Sequence, residues 1–349
     1  MQAVVLVGGQ GTRLRPLTLT TPKPLVPLAN RPLIEHIVRW LEAGGVSEVL
    51  LLTQYRAADF DRWLAEWRGI PVRAVEEPVP LGTAGAVANV AGSLHGTTAV
   101  INGDNITNLD LQAMLSAHRA TGAVATIAVD GVDDPTGRGV VVLGAGGRVL
   151  RFQEKPAPGT AAANTVNTGS YLIEPVALHG VEPGRSTMWE TDVFPALIAA
   201  GAPVFGWTHP HLWLDAGTLR GYLAAQAAIL TGEASSPPGE ARGGIWVAHH
   251  ASLDPDASYR GPIAVGAETI VSAGVRLAGP LSIGRRCRVE HGGLVEHGAI
   301  WDGSVVGRGA AVVDSIIGYN CIIGEDARVE RALLGDGTVV AAGAVIRDE

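Results

Sequence analysis

Cysteine is nearly absent: Cys287 and Cys321 are the only two in 349 residues. Both sit among small and β-branched residues and outside any cluster with metal-ligand spacing. They are therefore expected as small inward-facing core side chains in a reducing compartment, not as a disulfide or a metal site. Charge is sparse too, at 17% of residues with a formal net charge of -8 and no Lys/Arg run. Such a chain lacks the electrostatic footprint of a nucleic-acid binder or an anionic-membrane binder, although a local basic pocket for phosphates remains open to it. Long apolar runs are missing as well. The opening stretch Met1 to Val7 has no basic residues and ends at Gly8, too short for a signal peptide or a membrane span, so a cytoplasmic location is expected. Ten histidines are present, and His249, His250, His291 and His297 in the C-terminal part lack the Ser and Asp partner spacing of a hydrolytic triad.

What is plentiful is apolar residues, at 47%, and glycine, at 46 positions, which describes a folded, turn-rich chain long enough for two cores. Up to Leu230 short β-branched runs alternate with helical patterns. Val4–Val7, Val49–Leu52, Val72–Val75 and Thr98–Asn102 read as strands. Between them, Pro32–Ala43 places Ile34, Ile37, Val38 and Leu41 on one helical face, Phe60, Trp63, Leu64 and Trp67 make a second stripe, and Ala84–Leu94 forms a third helix. Repeated βα units imply an α/β domain with a mostly parallel sheet covered on both faces. From Thr231 to Gly244 periodicity stops and Pro, Gly and Ser gather, marking a linker. The expected organisation is thus a domain over 1–230, a linker over 231–244 and a second domain over 245–349.

That second domain is a repeat. Aliphatic residues recur every six positions at Val265, Val271, Leu277, Ile283, Val289 and Val295. The frame then slips by one residue to Ile300, Val306 and Val312, again to Ile317, Ile323 and Val329, and again to Leu334, Val340 and Ile346. A hexapeptide period predicts a parallel β-helix in which each repeat forms one side of a triangular coil and its aliphatic residue stacks inside. The pattern resembles the left-handed β-helix of hexapeptide-repeat proteins.

The chemistry concentrates near the N-terminus. Gly8-Gly9-Gln10-Gly11-Thr12-Arg13-Leu14-Arg15-Pro16-Leu17-Thr18 follows a strand, and Pro22-Lys23-Pro24-Leu25 comes after it. A Gly-rich turn exposes backbone N–H groups that can cradle phosphate oxygens. Arg13 offers a planar guanidinium and Lys23 a point charge for the same oxygens. A dinucleotide fingerprint fails because its third glycine would fall at Leu14, and the Gly-Lys-Ser/Thr ending of a Walker loop is absent.

Taken together, these two segments resemble the signature of the sugar nucleotidyltransferase family, and the resemblance runs over nearly the whole chain. It implies a Rossmann-like nucleotidyltransferase domain that joins an NTP to a sugar 1-phosphate with release of pyrophosphate. Arg13 and Lys23 would be catalytic, and Gly8, Gly9, Gly11 and Thr12 would bind the nucleotide. Gly82 and Thr83, in Pro80-Leu81-Gly82-Thr83-Ala84-Gly85-Ala86, resemble the segment that lines the nucleobase and sugar. In Asn102-Gly103-Asp104 and Trp213-Leu214-Asp215-Ala216-Gly217-Thr218, Asp104 and Asp215 resemble ligands of Mg²⁺, which favours carboxylates completed by phosphate oxygens and water. Gly103, Glu154 and Lys155 of Glu154-Lys155-Pro156, and Asn167 and Gly169 of Asn167-Thr168-Gly169, resemble the residues that hold the sugar phosphate.

Within the family the pairing with a C-terminal β-helix is most similar to the GDP-mannose pyrophosphorylases, which implies GTP and mannose 1-phosphate as substrates. Asn105 and Glu190-Thr191-Asp192 look instead like thymidylyl and uridylyl relatives, with glucose 1-phosphate as the sugar. Two further readings stand beside these: a bifunctional acyltransferase, disfavoured because the hexads run without a long insertion, and a non-catalytic sugar-nucleotide sensor, disfavoured because Arg13, Lys23, Asp104 and Asp215 are all present. A β-helix with flat faces and open ends also leads to the expectation of a homo-oligomer assembled through that domain.

Overall fold

In the computed structural model, which describes residues 1–234 and 243–347, the apolar run at the N-terminus is the strand Gln2–Leu6. It lies in the middle of a nine-stranded sheet. Thr98–Asn102 and Glu48–Thr53 flank it, Val72–Glu76 closes that edge, and these four strands are parallel. Beyond Thr98–Asn102 the sheet turns mixed. Thr165–Ile173 pairs antiparallel with Thr98–Asn102 and with Ala125–Gly131, Val204–Trp207 joins Ala125–Gly131 in parallel, and the hairpin Val140–Leu143 and Val149–Gln153 completes the other edge. The expected mostly parallel, mixed α/β sheet is therefore present.

Its helices follow the apolar patterns. In α1 (Leu33–Ala43) the residues Ile34, Ile37, Val38 and Leu41 are all buried, as the period requires. Helix α2 (Asp59–Glu66) buries Phe60 and Trp63. Helix α3 (Gly82–Asn89) is shorter than the predicted Ala84–Leu94: it gives way to a 3₁₀ turn at Ala91–Ser93, because Val90 leaves helical geometry just before Gly92. Helix α4 (Leu111–Thr121) is capped by Asp110, whose carboxylate accepts the Ala113 N–H at 2.9 Å, and ends on Gly122 in the left-handed conformation. Helix α5 (Phe194–Ala199) completes that set, and α6 (Leu219–Leu230), further along the chain, opens on the Thr218 hydroxyl, which accepts the Gly221 N–H at 3.1 Å.

The hexads build three six-stranded parallel sheets, one for each side of a triangular β-helix, which is the left-handed β-helix expected. One side runs through Ile245–Val247, Ile263–Val265, Leu281–Ile283, Ala299–Ile300, Ile316–Ile317 and Leu333–Leu334. The other two begin at Ser252–Leu253 and Ser258–Arg260. From Val265 to Val340 every aliphatic residue counted in the hexads is buried, and at about 1.5–3 kcal/mol for each enclosed side chain this column is the main stabiliser of the coil. The stack starts one coil earlier than the count from Val265, at Val247, Leu253 and Tyr259, where no coil precedes it among the described residues and Val247 is left exposed.

The single-residue slips all fall at one corner of the coil. His297, Asp314 and Arg331 stand at these shortened corners with φ of 47°, 47° and 49°, and each donates its N–H to a carbonyl of the preceding coil, which keeps the stack in register. Cys287 and Cys321 are fully buried inside, in line with Thr269 and Ser304, whose hydroxyls accept the Cys287 and Cys321 N–H groups at 3.0 and 2.9 Å. Burial pushes the Cys287 thiol up to about 11 and raises that of Cys321 as well, so both are poor nucleophiles.

Contacts divide the chain into two compact units, Met1–Gly9 with Ile37–Trp213, and Gln10–His36 with Leu214–Glu349. The composition boundary read near residue 230 thus falls inside the second unit, and residues 235–242 of the predicted linker lie outside the described residues.

Candidate active site

Within the second unit the signature segment is a chain of three short 3₁₀ turns, Thr12–Leu14, Leu17–Leu19 and Lys23–Leu25. Gly11 enters it at φ 61°, and a Cβ there would come within 2.9 Å of Lys23 Cβ, so glycine is required for both conformation and space. Thr12 and Arg13 are exposed, whereas Lys23 is buried. Both cations converge on Asp215: Arg13 Nη2 is 2.8 Å from Oδ2 and Lys23 Nζ 3.2 Å from Oδ1. Burial works to raise the Asp215 pKa, but the Lys23 ammonium and the Arg13 guanidinium outweigh it and hold the carboxyl below its usual value. Gly217 fits against all three charged groups. A Cβ on it would lie 2.7 Å from Asp215 Oδ1, 2.7 Å from Lys23 Nζ and 2.8 Å from Arg13 Nη2, and its own N–H donates to Asp215 Oδ1 at 2.8 Å.

The remaining predicted residues lie in the first unit. Gly8 and Gly9 follow the central strand. A Cβ on Gly8 would meet Gln54 Cβ at 3.2 Å and Glu77 Oε1 at 3.3 Å, while the other Glu77 oxygen accepts the Leu81 N–H at 3.1 Å. Burial raises the Glu77 pKa, with the Leu81 N–H opposing it. Gly82 and Thr83 open α3. Gly82 takes φ 71°, and a Cβ there would strike the Thr187 carbonyl at 2.6 Å.

Thr83, Asn167 and Gly169 are drawn together by two residues that the sequence did not single out as ligand-binding. The Thr83 hydroxyl donates to Glu190 Oε2 at 3.1 Å, the Tyr171 hydroxyl donates to Glu190 Oε1 at 3.1 Å, and Asn167 Nδ2 donates to the Tyr171 oxygen at 2.7 Å. The Gly169 N–H returns to Asn167 Oδ1 at 2.8 Å. Burial, with the Glu190 charge next to it, raises the Tyr171 pKa, so its hydroxyl keeps its proton and donates. Asn167 and Gly169 lie inside the strand Thr165–Ile173, at a register shift between Asn167 and Tyr171 that re-aims these side chains.

Gly103 and Asp104 form the turn after Thr98–Asn102, and a Cβ on Gly103 would lie 2.5 Å from Val7 Cγ1 and 2.7 Å from the Leu6 carbonyl. Asn105 is buried and donates to the Thr168 carbonyl at 2.9 Å, so its first role is to hold the strand that carries Gly169. Glu154 and Lys155 pair at 3.1 Å, with the Lys155 side chain 70% exposed. The position of Glu154 is set by Gly139, where a Cβ would lie 3.1 Å from Glu154 Oε2, and the Gly139 carbonyl also accepts the Asn167 N–H at 2.7 Å.

Among the described residues no group of three or more His, Cys, Asp or Glu side chains is gathered to hold a metal ion. Carboxylates such as those of Asp104 and Asp215 suit Mg²⁺ where substrate oxygens and water supply most of the coordination. Gly217, Glu190, Tyr171 and Gly139 carry no local pattern that by itself marks them as site residues; what brings them in is contact with Lys23 for Gly217, Thr83 for Glu190, Glu190 for Tyr171 and Asn167 for Gly139. A signal for two of them was present: Gly217 in the segment around Asp215, and Glu190 in Glu190-Thr191-Asp192.

One unit carries a Gly-rich loop with two cations on a carboxylate, and the other an α/β sheet with a cluster of hydroxyl, amide and carboxylate groups. The chain belongs to the nucleotidyl transferase family, which matches residues 2–232, and the GMPPB C-terminal domain matches residues 259–349. It is 36% identical over 301 residues to a mannose-1-phosphate guanylyltransferase of Mycobacterium tuberculosis, covering 85% of this chain and 83% of that protein. A UTP–glucose-1-phosphate uridylyltransferase of Synechocystis sp. is 29% identical over 337 residues, covering 91% of this chain and 87% of that protein. Among solved structures, HddC from Yersinia pseudotuberculosis is similar with a TM-score of 0.57 at 25% identity, over 64% of this chain and 97% of that one. The chain is therefore a nucleotidyltransferase, of a family that generally works with a divalent metal. No helix among the described residues is long and apolar enough to cross a membrane.

Proposed function

We propose that this enzyme transfers the guanylyl group of GTP to mannose 1-phosphate, giving GDP-mannose and pyrophosphate. The observation that carries the reaction is the convergence of Arg13 and Lys23 on Asp215 within the signature loop. An oxygen of the sugar phosphate attacks the α-phosphorus in line, and pyrophosphate leaves from the opposite side. The nucleophile is already an anion, so the protein's task is to position it and to neutralise charge. Arg13 and Lys23 act on the triphosphate, supported by the backbone of Gly8, Gly9, Gly11 and Thr12. Gly82 and Thr83 line the base and ribose. Glu154 and Asn167 accept from or donate to sugar hydroxyls, the backbone of Gly103 and Gly169 allows close approach, and Lys155 binds the sugar phosphate. Asp104 and Asp215 would hold Mg²⁺, which when bound adds positive charge at the phosphate oxygens.

Guanine is favoured by Glu77 and by the guanylyltransferase relatives. An ionised carboxylate only accepts hydrogen bonds, and guanine offers it two adjacent donors, N1–H and the exocyclic N2–H. Uracil and thymine offer one donor flanked by carbonyls that such a carboxylate repels. The uridylyltransferase relative supports the second reading, UTP or dTTP with glucose 1-phosphate. Competing GTP, dTTP, UTP, ATP and CTP at equal concentration against mannose and glucose 1-phosphates measures the choice. GDP-mannose should dominate, and Glu77→Gln should cut the preference for GTP by roughly tenfold or more, the value of one or two mismatched polar groups. A dominant dTDP- or UDP-glucose product would overturn the guanylyl assignment and leave the reaction class standing.

Self-association through the β-helix is supported by outward aliphatics on one of its sides, Ile270 (48% exposed), Ile322 (49%) and Val339 (69%), in a row that Arg288 interrupts. A monomer mass by light scattering would remove this inference.

A further inference from the structure

We infer that the β-helix is the seat of the signature loop, and that Asp336 on its last coil is a positioning residue for the transfer, acting through Thr20. The inference rests on the reaction proposed above. Residues Gln10–His36 belong to the same compact unit as the β-helix, although more than 200 residues of sequence intervene. Between Arg13 and Lys23 stands Thr20. Its Oγ1 is 2.7 Å from Asp336 Oδ2 and 3.1 Å from the Leu17 carbonyl, and its single proton goes to the nearer, charged acceptor. The Asp336 carboxylate is held from behind, because its Oδ1 accepts the Tyr319 N–H at 2.9 Å. Next to it Pro16 lies on Gly335, where an added Cβ would be 3.1 Å from the proline ring.

Two more attachments secure the far end of the segment. Asn30, at φ 64°, donates to the Ile283 carbonyl at 2.8 Å. The Pro27 carbonyl accepts from the buried Tyr222 hydroxyl, which in turn accepts from Trp301 Nε1 at 3.2 Å. Tyr222 lies on α6, and the same helix is tied to the coil by fully buried Gln226, which donates to the Gly298 carbonyl at 2.8 Å and accepts from Ser282 at 2.6 Å.

The mechanical reason is plain. Three isolated 3₁₀ turns cannot hold a guanidinium and an ammonium in place by their own hydrogen bonds, since runs this short are marginal without external support. Coils of the β-helix, each bonded to the next along its whole length, are rigid enough to supply that support. Displacement of the loop by about 1 Å would be felt in turnover, because positioning is most of what the site contributes.

The experiment uses the full-length protein with Thr20→Val, Thr20→Ser, Asp336→Ala and Asp336→Asn. Amide hydrogen exchange is followed over residues 11–25 and over the β-helix, and pyrophosphate release is measured against nucleotide and against sugar phosphate. Thr20→Val and Asp336→Ala are expected to speed exchange in the loop while leaving the other coils protected. They should raise the KM for the nucleotide by roughly tenfold, the size of one lost hydrogen bond to a charged group, with the KM for the sugar phosphate unchanged. Thr20→Ser should restore both. A loss of folded protein alone lowers the apparent kcat and cannot raise one KM selectively. Unchanged loop exchange with unchanged nucleotide KM in Thr20→Val overturns the inference even if Asp336→Ala fails to fold, and so does Thr20→Ser behaving like Thr20→Val. If the wild type releases no pyrophosphate with any substrate pair, it is the reaction that is wrong, and the exchange data still decide whether Asp336 positions the loop.

Discussion

Asp215→Asn separates the counter-ion role that the geometry gives to this carboxylate from the metal-ligand role proposed for it. As counter-ion it faces Lys23, whose side chain is 7% exposed, at 3.2 Å, and Arg13, whose side chain is 60% exposed, at 2.8 Å. Breaking a fully buried pair costs about 3–5 kcal/mol, but Asp215 is itself 34% exposed, which brings the Lys23 contribution down to about 1–2 kcal/mol. The exposed Arg13 adds at most about 0.5 kcal/mol. The variant should therefore lose roughly 2 kcal/mol of stability and remain folded. Turnover should fall much further, on the order of a hundredfold or more, because charge stabilisation at the transferring phosphoryl group is lost. Thermal melting and Mg²⁺-dependent pyrophosphate release of Asp215→Asn, Lys23→Met and the double variant form the assay, with Asp104→Asn as the companion for the second metal ligand. The double variant should regain part of the stability, since the uncompensated ammonium is gone, and none of the turnover. Undiminished Mg²⁺-dependent turnover in Asp215→Asn or Asp104→Asn would refute the metal assignment, and strict additivity of the stabilities would refute the ion pair. Because the folded pKa of Asp215 is depressed, the stability it contributes is present above its unfolded value of about 3.9 and is lost as the pH falls through the folded one.

Gly217→Ala should abolish most turnover and lower stability on the scale of Asp215→Asn, roughly 2 kcal/mol, since the new methyl intrudes on Asp215, Lys23 and Arg13 together; near-normal kinetics would show that the three groups need not stay where they are. His118, buried on α4 between Thr126 at 2.7 Å and Glu174 at 3.2 Å, has its pKa lowered by burial, against the opposing pull of Glu174. The stability it contributes is full above the unfolded value of about 6.5 and is lost as the pH falls through the lowered folded value, so His118→Gln should flatten the decline in melting temperature between about pH 7.5 and 5. An identical pH slope in the variant would exclude His118 as its source.

Periodicity was legible without coordinates. An aliphatic residue at every sixth position makes a coil because the rule involves only near neighbours and side-chain size, and Val265 through Val340 are buried as the count requires. The helix over Ile34, Ile37, Val38 and Leu41 was readable for the same reason. Local chemistry was legible too: Gly11, Arg13 and Lys23 stand close together in sequence, and only a few uses exist for such a loop. Tertiary structure decided the partners. Lys23 meets Asp215 across 192 residues and Thr20 meets Asp336 across 316, and no local pattern specifies such pairs. The β-helix did carry a trace of its second role. Along the side that begins at Ile245–Val247 the outward positions Ala264, Ser282, Ala299 and Ile316 are small or apolar and buried, whereas Arg276, Arg288 and Arg328 occupy outward positions on the other sides. A hexad count records what points inward and is silent about what lies against the outside. That the loop bearing the reactive charges rests on the last coil was therefore settled by packing between distant segments, where shape and hydrogen-bond complementarity, not sequence spacing, select the contact.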